Sequence, residues 1–428
     1  MAFGLVLLLG VAGLAGADLS PDAAIARLRE RILDEATRIP NYTCVQTIDR
    51  QFSIAEKARI PGSCAGVRVE RSAPGYRVLP YGSDRFRLDV GVDRVREVYS
   101  WAGAERFEDR ELADLIPGPA STGAFATLLH MMFGGDAAEF RYRGKQTLER
   151  RRVLAYSFQV PVARSHYFMR GAHGARTAVA YHGSILVDPE TNDLARLDLR
   201  IDDSPPEASL CSFDASLDYS RTQIGAAGFL LPKAARQRFL MPSRVEAEST
   251  VAFSACREYR ADSTVKYEDS GGAQPAGGKG AAAREALKAS PGLPVTVELT
   301  TTIDSDAAAA GDAFAGRLAE PLRDETGNTL APLGTLVHGR IMGVERYKYP
   351  SSVQIALALE TMEIDGAALP FHAAAKKAGP GSGAQKGSPA LREMLPYSPE
   401  TDTVVVRRSG DRWIIAPGYR TEWVTAAP

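Results

Sequence analysis

The sequence lacks an excess of charge of either sign. Lys and Arg together number 51 and Asp and Glu number 52, which leaves a net charge of −1 over 428 residues. Nucleic acids bind proteins chiefly through clusters of positive charge that meet the phosphate backbone. The balance therefore predicts no nucleic-acid partner for the chain as a whole.

The sequence also lacks the short motifs that accompany common catalytic and cofactor sites. It contains no G-x-S-x-G nucleophile elbow, no Walker A phosphate loop and no H-E-x-x-H zinc motif. His166, His173 and His182 lie close together in sequence, but their spacing is irregular for a metal site. We therefore expect no enzyme activity, no cofactor and no metal.

Cysteine is scarce, with four residues at Cys44, Cys64, Cys211 and Cys256. An even number of cysteines behind an export signal favours two disulfides. The predicted pairing is local, Cys44 with Cys64 and Cys211 with Cys256, because each pair brackets one or two predicted strands. Free buried thiols and a zinc site are the alternatives, although the sequence has no C-x-x-C spacing.

Long apolar runs are absent except at the start of the chain, in residues 1–17. This run ends in Ala15-Gly16-Ala17, a small-x-small pattern that suits signal peptidase. It is shorter than the roughly 20 residues of a membrane-spanning helix. The sequence predicts a signal peptide cleaved after Ala17 and a periplasmic or secreted protein, with a membrane anchor as the alternative.

One amphipathic helix and many alternating segments follow. Ser20 and Pro21 begin a helix that ends before Pro40, with an apolar stripe at three- and four-residue steps. Apolar and polar residues then alternate with a period of two, which predicts antiparallel strands with one buried face. The predicted strands are 42–53, 65–72, 84–91, 94–103, 139–144, 152–161, 183–187, 194–202, 211–224, 228–240 and 245–259.

Three acids stand close together at Asp188, Glu190 and Asp193. Strand-like segments flank them, and Asp188 precedes Pro189, the order that favours entry into a type I turn. A calcium loop would need more oxygen ligands in a longer frame that contains glycine. The pattern therefore predicts a hairpin turn rather than an ion site or a catalytic pair.

A second helix is predicted over 121–135, with Ser121 as its cap. It is apolar around nearly its whole circumference, which is typical of a buried helix. Its Met residues are flexible and suit either core gaps or adaptable hydrophobic sites. It is therefore either a core helix or a lid over a hydrophobic cavity. The candidate ligand-binding residues are Phe125, Leu128, Met131, Met132 and Phe133.

Basic residues cluster in "RYRGK" (141–145) and "LERRRV" (148–153). A solvated strand face explains such clusters most simply. Because the chain is expected to be exported, an anionic lipid headgroup or a cell-wall polymer is the more sensible functional partner than nucleic acid.

A length of 428 residues and a hydrophobic content of 45% predict two or three globular domains. Residues 269–293 break all periodicity and predict a flexible linker. The mature chain then divides into 18–268 and 294–428, and 376–391 is predicted to be a disordered insert in the second unit. The fold class is mainly β (α+β): an antiparallel half-barrel with N-terminal and inserted helices, plus a second small all-β, barrel-like domain.

An amphipathic helix before "NYTCVQTIDR", an inserted apolar helix, the "ILVDPETNDLARLDLRI" hairpin and "FLLPKAARQRFL" together resemble the periplasmic LolA-like and RseB-like superfamily. The resemblance covers about 24–268. It implies an unclosed β-barrel with helices over its mouth and a hydrophobic cavity, and it assigns no individual ligand residue. "GDAFAGRLAEPLRDETGNTLAPLGTLVHGRI" resembles, more weakly, the β-barrel of TrbI-like conjugation-channel proteins, which implies a scaffold or assembly module.

We therefore expect an exported, non-catalytic protein of the cell envelope. Its half-barrel would bind a lipid, an acyl chain or another hydrophobic ligand, or an apolar part of a lipoprotein or envelope protein, with peripheral contact to a membrane. Two alternatives remain open. One is a structural scaffold of an envelope complex without a small-molecule ligand, and the other is a hydrolase of envelope polymers.

Overall fold

A computed structural model describes residues 20–56, 62–93, 96–104, 107, 111–170, 175–205, 210–259, 289–376 and 402–427. The predicted signal peptide lies outside the described residues, as do 269–288 of the predicted linker and 377–391 of the predicted disordered insert. The chain is mainly β, and its helices are few and short apart from the first. The α-helices are α1 (Pro21–Arg38), α2 (Cys64–Arg71), α3 (Leu112–Leu115) and α4 (Thr127–Phe133).

Twelve strands precede residue 260 in the described part of the chain. They are β1 (Tyr42–Ala55), β2 (Val78–Asp93), β3 (Arg96–Trp101), β4 (Glu139–Leu148), β5 (Arg151–Val160), β6 (Phe168–Arg170), β7 (Arg176–Ala178), β8 (Tyr181–Val187), β9 (Leu194–Ile201), β10 (Ser212–Ile224), β11 (Ala227–Leu240) and β12 (Val245–Glu258). Ten of them form one antiparallel sheet in the order β4-β5-β8-β9-β10-β11-β12-β1-β2-β3. Its first and last strands, β4 and β3, do not pair in the described part of the chain. The predicted fold class, a mainly β protein with an antiparallel half-barrel, is confirmed.

Alternation of side chains gives this sheet its core face. Phe213, Ala215, Leu217 and Tyr219 of β10 are buried, and the residues between them are partly exposed. Successive strand residues point to opposite faces, so alternate apolar residues of most of these strands join the same hydrophobic cluster. The period of two in the sequence therefore predicted these strands correctly, because it reflects the alternation between a buried and a more exposed face.

Helix α1 covers this core face. Ser20 Oγ accepts a hydrogen bond from the Ala23 N–H at 3.3 Å, and Pro21 occupies the first turn, where its missing N–H costs nothing. Ala24, Leu28 and Ile32 of the apolar stripe are buried in the cluster. The predicted N-terminal helix and its start are confirmed.

The predicted strand at 65–72 is wrong, because this segment forms α2. Val67 and Val69 alternate with polar residues and imitate a strand, yet Val67 is buried whereas Val69 is 73% exposed. Ser63 Oγ accepts from the Gly66 N–H at 3.2 Å and caps the helix. The helix cap supplied by Ser63 therefore has more influence on this segment's conformation than an alternating pattern of only a few residues.

Two disulfides are present, as expected, but the predicted local pairing is wrong. Cys44 bonds to Cys256 and Cys64 bonds to Cys211. The strands β1 and β12 are neighbours in the sheet, so Cys44 and Cys256 meet although 212 residues separate them. The disulfide pairing follows the order of the strands in the sheet. This order cannot be read from the spacing of the cysteines in the sequence.

Twelve further strands follow residue 293. They are β13 (Pro294–Leu299), β14 (Ile303–Asp304), β15 (Ala313–Leu318), β16 (Leu322–Arg323), β17 (Thr329–Ala331), β18 (Leu336–Lys348), β19 (Ser351–Ile364), β20 (Ala367–Pro370), β21 (Ala373–Ala375), β22 (Val404–Ser409), β23 (Ile414–Ile415) and β24 (Arg420–Thr425). They pack around a second hydrophobic cluster that includes the fully buried Trp423. The two clusters suit the predicted division into two domains, which stays a prediction.

The second set of strands joins the first through a short seam between β18 and β2. Glu345 lies opposite Asp84, and Tyr347 lies opposite Gly82. The backbone of Ala310 adds two hydrogen bonds to β2, to Arg85 O at 2.9 Å and from the Arg87 N–H at 2.7 Å. The sheet is thus continuous across the seam.

Glu345 is a buried carboxyl at this seam. Tyr347 donates a hydrogen bond to it at 2.5 Å, and Gln354 contacts it at 3.4 Å. Burial raises the pKa of Glu345 to about 7, and the neighbouring Asp84 carboxylate adds to the rise, against the hydrogen bond from Tyr347 and the positive charges of Arg50 and Arg407. A carboxyl whose pKa is raised on folding holds its proton longer in the folded state than in the unfolded state.

We expect the free energy of unfolding to fall as the pH rises from about 4.5 to about 7, by up to roughly 3 kcal/mol from Glu345 alone. Glu345→Gln keeps the shape of the side chain without a titrating proton, so this part of the pH dependence should disappear. Urea unfolding followed over this pH range measures it. The exposed Glu325→Gln is the control, and equal slopes in both variants would contradict the assignment.

Candidate functional site

An apolar crevice lies between α1, α4 and the core face of the half-barrel. Its volume is about 50 Å³, enough for a few water molecules but far too small for an acyl chain. A larger apolar ligand would therefore have to displace side chains that now fill the half-barrel. The apolar lining consists of Leu28, Ile32, Ala36, Ile39, Tyr42, Phe125, Ala126, Leu129, Phe229, Leu230 and Leu231.

Charged residues border this crevice. Arg221 donates to Glu35 Oε1 at 2.7 Å and to Asp193 Oδ1 at 2.7 Å. Arg31 also reaches Glu35 Oε1 at 3.3 Å. The ion pairs connect α1 with β10 and with the turn before β9, so they hold the helix against the sheet at the edge of the crevice.

The acidic segment at 188–193 is a hairpin turn between β8 and β9, as predicted. Asp188 Oδ1 accepts hydrogen bonds from the Glu190 and Thr191 N–H groups at 2.9 and 3.2 Å. Asn192 adopts a φ of 57°, a left-handed conformation that asparagine tolerates well. The carboxylates of Asp188 and Asp193 thus serve the turn and the border of the crevice.

The five predicted ligand-binding residues lie together but not all at the crevice. Phe125 lines it and makes edge contacts with Tyr42 and Phe253 at centroid distances of 6.1 and 4.9 Å. The remaining four, Leu128, Met131, Met132 and Phe133, pack in the core cluster beneath, where only Met131 is partly exposed. A binding role for them stays a prediction.

Helix α4 is shorter than the predicted 121–135, and Ser121 does not cap it. The helix begins after Ala126, because Gly123 has a φ of +89°, which no α-helix accommodates. Ser121 Oγ instead lies 3.0 Å from the Tyr167 hydroxyl. The residues before α4 form an irregular connection held by side chains of the sheet, and we call residues 111–135 the lid segment.

Glu97 of β3 holds one part of the lid segment. Its carboxylate accepts from the Gly123 N–H at 2.8 Å, from the Phe125 N–H at 3.1 Å and from the Tyr99 hydroxyl at 2.5 Å. Burial raises the pKa of Glu97, against these hydrogen bonds, which favour the ionised form. A single carboxylate thus supplies acceptors for two backbone N–H groups that lie just before α4 and have no partner within the helix.

Arg50 of β1 holds another part of the lid segment from beneath. Its guanidinium is fully buried and forms a two-pronged pair with Asp84, at 2.8 and 2.6 Å. The remaining Nη1 donates to Pro117 O at 2.7 Å and to Pro119 O at 3.2 Å. Arg50 therefore connects the sheet directly with the lid segment.

Sequence reasoning missed Arg50 and Glu97. A signal for Arg50 was present, because it stands between Ile48 and Phe52 in β1 at a position whose alternation points to the core. A charge at a core position is costly unless it is paired, so it commonly marks a specific interaction. No comparable signal identifies Glu97, whose partners are backbone groups in a distant segment.

Buried polar atoms on the core face of the half-barrel lack partners among the described residues. Ser249 lies directly opposite Arg50 in the pairing of β1 with β12, and Gln46 lies on the same face of β1. The Ser249 Oγ, the Gln46 Oε1 and the Tyr81 hydroxyl are buried without a hydrogen-bond partner among the described residues. The interior of the half-barrel therefore has polar groups available beside its apolar surface.

The outer face of the same sheet carries a polar depression of about 720 Å³ over β8 to β12. Its charges are largely paired, as in Arg200 with Asp214 at 3.3 Å and Arg238 with Glu248 at 2.5 Å. Among the described residues no group of three His, Cys, Asp or Glu is arranged to hold a metal. In the same part of the chain, no helix has the length and apolar character needed to cross a membrane.

Comparisons with known proteins give only distant likenesses. No protein-family model matches the sequence, and no curated protein matches it. A DUF1329 family protein from Desulfovibrio piger is similar in structure at 11% identity and a TM-score of 0.27, over 56% of this chain and 94% of that one. A LolA superfamily protein from Nitrosomonas europaea matches at 9% identity and a TM-score of 0.24, over 54% and 94%.

The lipoprotein LppX from Mycobacterium tuberculosis matches at 10% identity and a TM-score of 0.20, over 56% of this chain and 98% of that one. The LolA superfamily, which the sequence resembles, is thus represented among the similar solved structures. These likenesses concern the fold alone.

Proposed function

We propose that the half-barrel binds a lipid, an acyl chain or another hydrophobic molecule beneath the lid segment. The observation that carries the proposal is the construction of the lid segment. The lid segment covers the apolar core face. Buried polar side chains hold it by hydrogen bonds to its backbone, and other partners could replace these hydrogen bonds. These contacts come from Arg50 and Glu97, and Tyr219 adds one to Ala124 O at 3.1 Å.

If the lid segment opened, its contacts with the core would be lost, and the core face would contact the ligand instead. Each methylene of a bound chain that leaves water contributes about 0.8 kcal/mol. A few such groups offset the loss of the lid contacts, since a hydrogen bond contributes a net of about 1 kcal/mol. The N–H groups of Arg50 released in this way, with Ser249 opposite in β12, suit the polar end of such a ligand.

We propose further that the protein is exported to the cell envelope and is not an enzyme. Two disulfides are typical of proteins that fold in an oxidising compartment. The envelope scaffold without a ligand remains the alternative function, and the second set of strands would then provide its contacts.

The crevice offers a direct test of ligand binding. Ala36 lines the crevice on α1, so Ala36→Trp should fill the space that a ligand first enters. We expect at least a roughly tenfold loss in affinity for an apolar fluorescent probe, which corresponds to about 1.4 kcal/mol. Titration of the purified protein with 1-N-phenylnaphthylamine measures this affinity.

Ala26→Trp is the matched control, since Ala26 lies on the same helix and is exposed. It should bind the probe as the wild type does. Native mass spectrometry of protein prepared without detergent should also show a bound mass in the lipid range. Absence of both a bound mass and probe uptake in the wild type would favour the scaffold.

A further inference from the structure

Strand β4 forms a free edge of the half-barrel. Within the described residues it pairs only with β5, so the backbone groups along its other side have no strand partner. Seven of its ten residues are exposed and the other three are only partly buried. A long, exposed edge strand of this kind is a surface that a binding partner can contact.

The edge and its hairpin are strongly basic. Residues 139–152 contain six Lys and Arg against two Glu, a local charge of +4 in a chain whose net charge is −1. Glu139 is already paired with Arg164 at 2.5 Å. We call the set of exposed cations the basic edge, and it consists of Arg141, Arg143, Lys145, Arg150, Arg151 and Arg152.

The basic edge differs from the other basic residues of the sheet. Arg200 and Arg238 of the outer face meet carboxylates at 3.3 and 2.5 Å. In the basic edge, Arg143 donates to the neutral Ser157 Oγ, and Arg151 lies 3.6 Å from Asp188. Among the described residues no carboxylate pairs with Arg141, Arg150 or Arg152, so these three cations keep their positive charge uncompensated.

The basic edge adjoins the lid segment. Phe140 of β4 stacks on Phe133 of α4 with centroids 5.1 Å apart. Tyr142 contacts Tyr156, whose hydroxyl donates to Pro21 O at the start of α1 at 2.7 Å. Tyr142 is itself 39% exposed, which places an amphipathic ring among the cations. A surface that met the basic edge would stand beside the entrance beneath the lid segment.

We propose that the basic edge docks the protein on an anionic lipid membrane, so that the lid segment opens beside the bilayer. This deepens the proposed function by naming the surface across which the hydrophobic ligand is exchanged, and it rests on that function. The cations project from both faces of β4, with Arg141 opposite Ser157 and Lys145 opposite Leu154, and also from the turn. They form no pocket, which suits mobile headgroups better than one fixed protein partner.

Vesicle flotation with the full-length mature protein tests the proposal. Wild type should bind phosphatidylcholine vesicles that contain phosphatidylglycerol, lose this binding at high salt, and leave pure phosphatidylcholine vesicles unbound. The triple variant R150S/R151S/R152S should bind the anionic vesicles roughly a hundredfold more weakly, because each basic residue near an anionic surface contributes about 1 kcal/mol.

The control triple variant R200S/R236S/R238S removes the same charge from the outer face and should bind as wild type does. Ala36→Trp should also bind vesicles normally, so loss of the ligand crevice is distinguishable from loss of docking. The proposal would be overturned by equal binding to neutral vesicles, by equal loss in both triple variants, or by a basic edge that binds acidic proteins but no vesicles. Aggregation of R150S/R151S/R152S with wild type unable to bind vesicles would also overturn it, since the charges then only protect a sheet edge.

Discussion

Arg50→Ala is expected to lower the free energy of unfolding by about 3–5 kcal/mol, because it leaves the Asp84 carboxylate buried without its partner. Both side chains are almost completely buried, and their two hydrogen bonds measure 2.8 and 2.6 Å. Burial already raises the pKa of Asp84, against the charge of Arg50. Without the guanidinium, Asp84 should take up a proton, and the lid segment loses its contacts from beneath. Chemical denaturation measures the change in stability.

The double variant Arg50→Leu/Asp84→Leu separates charge from packing. It removes both charges and leaves apolar side chains of similar size, so it should recover most of the lost stability. It should not restore the contacts to Pro117 and Pro119, and amide exchange in the lid segment should remain faster than in wild type. Arg50→Ala with wild-type stability would show that the pair is not buried in solution.

Removal of the Cys44–Cys256 disulfide by Cys44→Ala/Cys256→Ala is expected to cost about 5 kcal/mol. The bond joins residues 212 positions apart, and the loss of loop entropy in the unfolded chain grows with the logarithm of that separation. Cys64→Ala/Cys211→Ala should cost nearly as much, since 147 positions separate that pair. Thermal unfolding of both variants compares the two effects.

Peptide mapping without reductant checks the pairing itself. A protease digest should contain linked peptides that carry Cys44 with Cys256 and Cys64 with Cys211, and these should separate on reduction. Linked peptides that join Cys44 to Cys64 would restore the local pairing and contradict the arrangement of β1 beside β12. Variants with one intact bond provide the matched control for each assignment.

The strands of the half-barrel could be predicted from sequence because apolar and polar residues alternate along them and so mark the buried face. In β10, buried and more exposed residues alternate regularly from Ser212 to Ser220, whereas β11 keeps the alternation on both sides of an irregularity at Pro232. The helix α2 shows where such evidence fails. Its apparent alternation is short, and a capping serine with a disulfide to a distant residue decides the conformation instead.

The candidate site depended on contacts between segments that are remote in sequence. The turn residues Asp188 and Asp193 were identified as a hairpin, but nothing local indicated that Asp193 would meet Arg221 beside the crevice. The end of α4 was predicted well, whereas its start was not, because Glu97 bonds the N–H groups of Gly123 and Phe125. Hydrogen bonds between segments that are distant in sequence produce no periodic pattern from which they could be predicted.

The seam between β2 and β18 has a consequence for how the molecule responds to its surroundings. Glu345 and Asp84 lie side by side there, and Asp84 holds the same guanidinium that contacts Pro117 and Pro119. A coupling free energy between two sites acts equally in both directions. If protonation of Glu345 changes how firmly Arg50 holds the lid segment, then opening of the lid segment changes the proton affinity of Glu345 by the same free energy. Under the proposed function, a ligand that opens the lid segment would then also shift the protonation of Glu345 in β18.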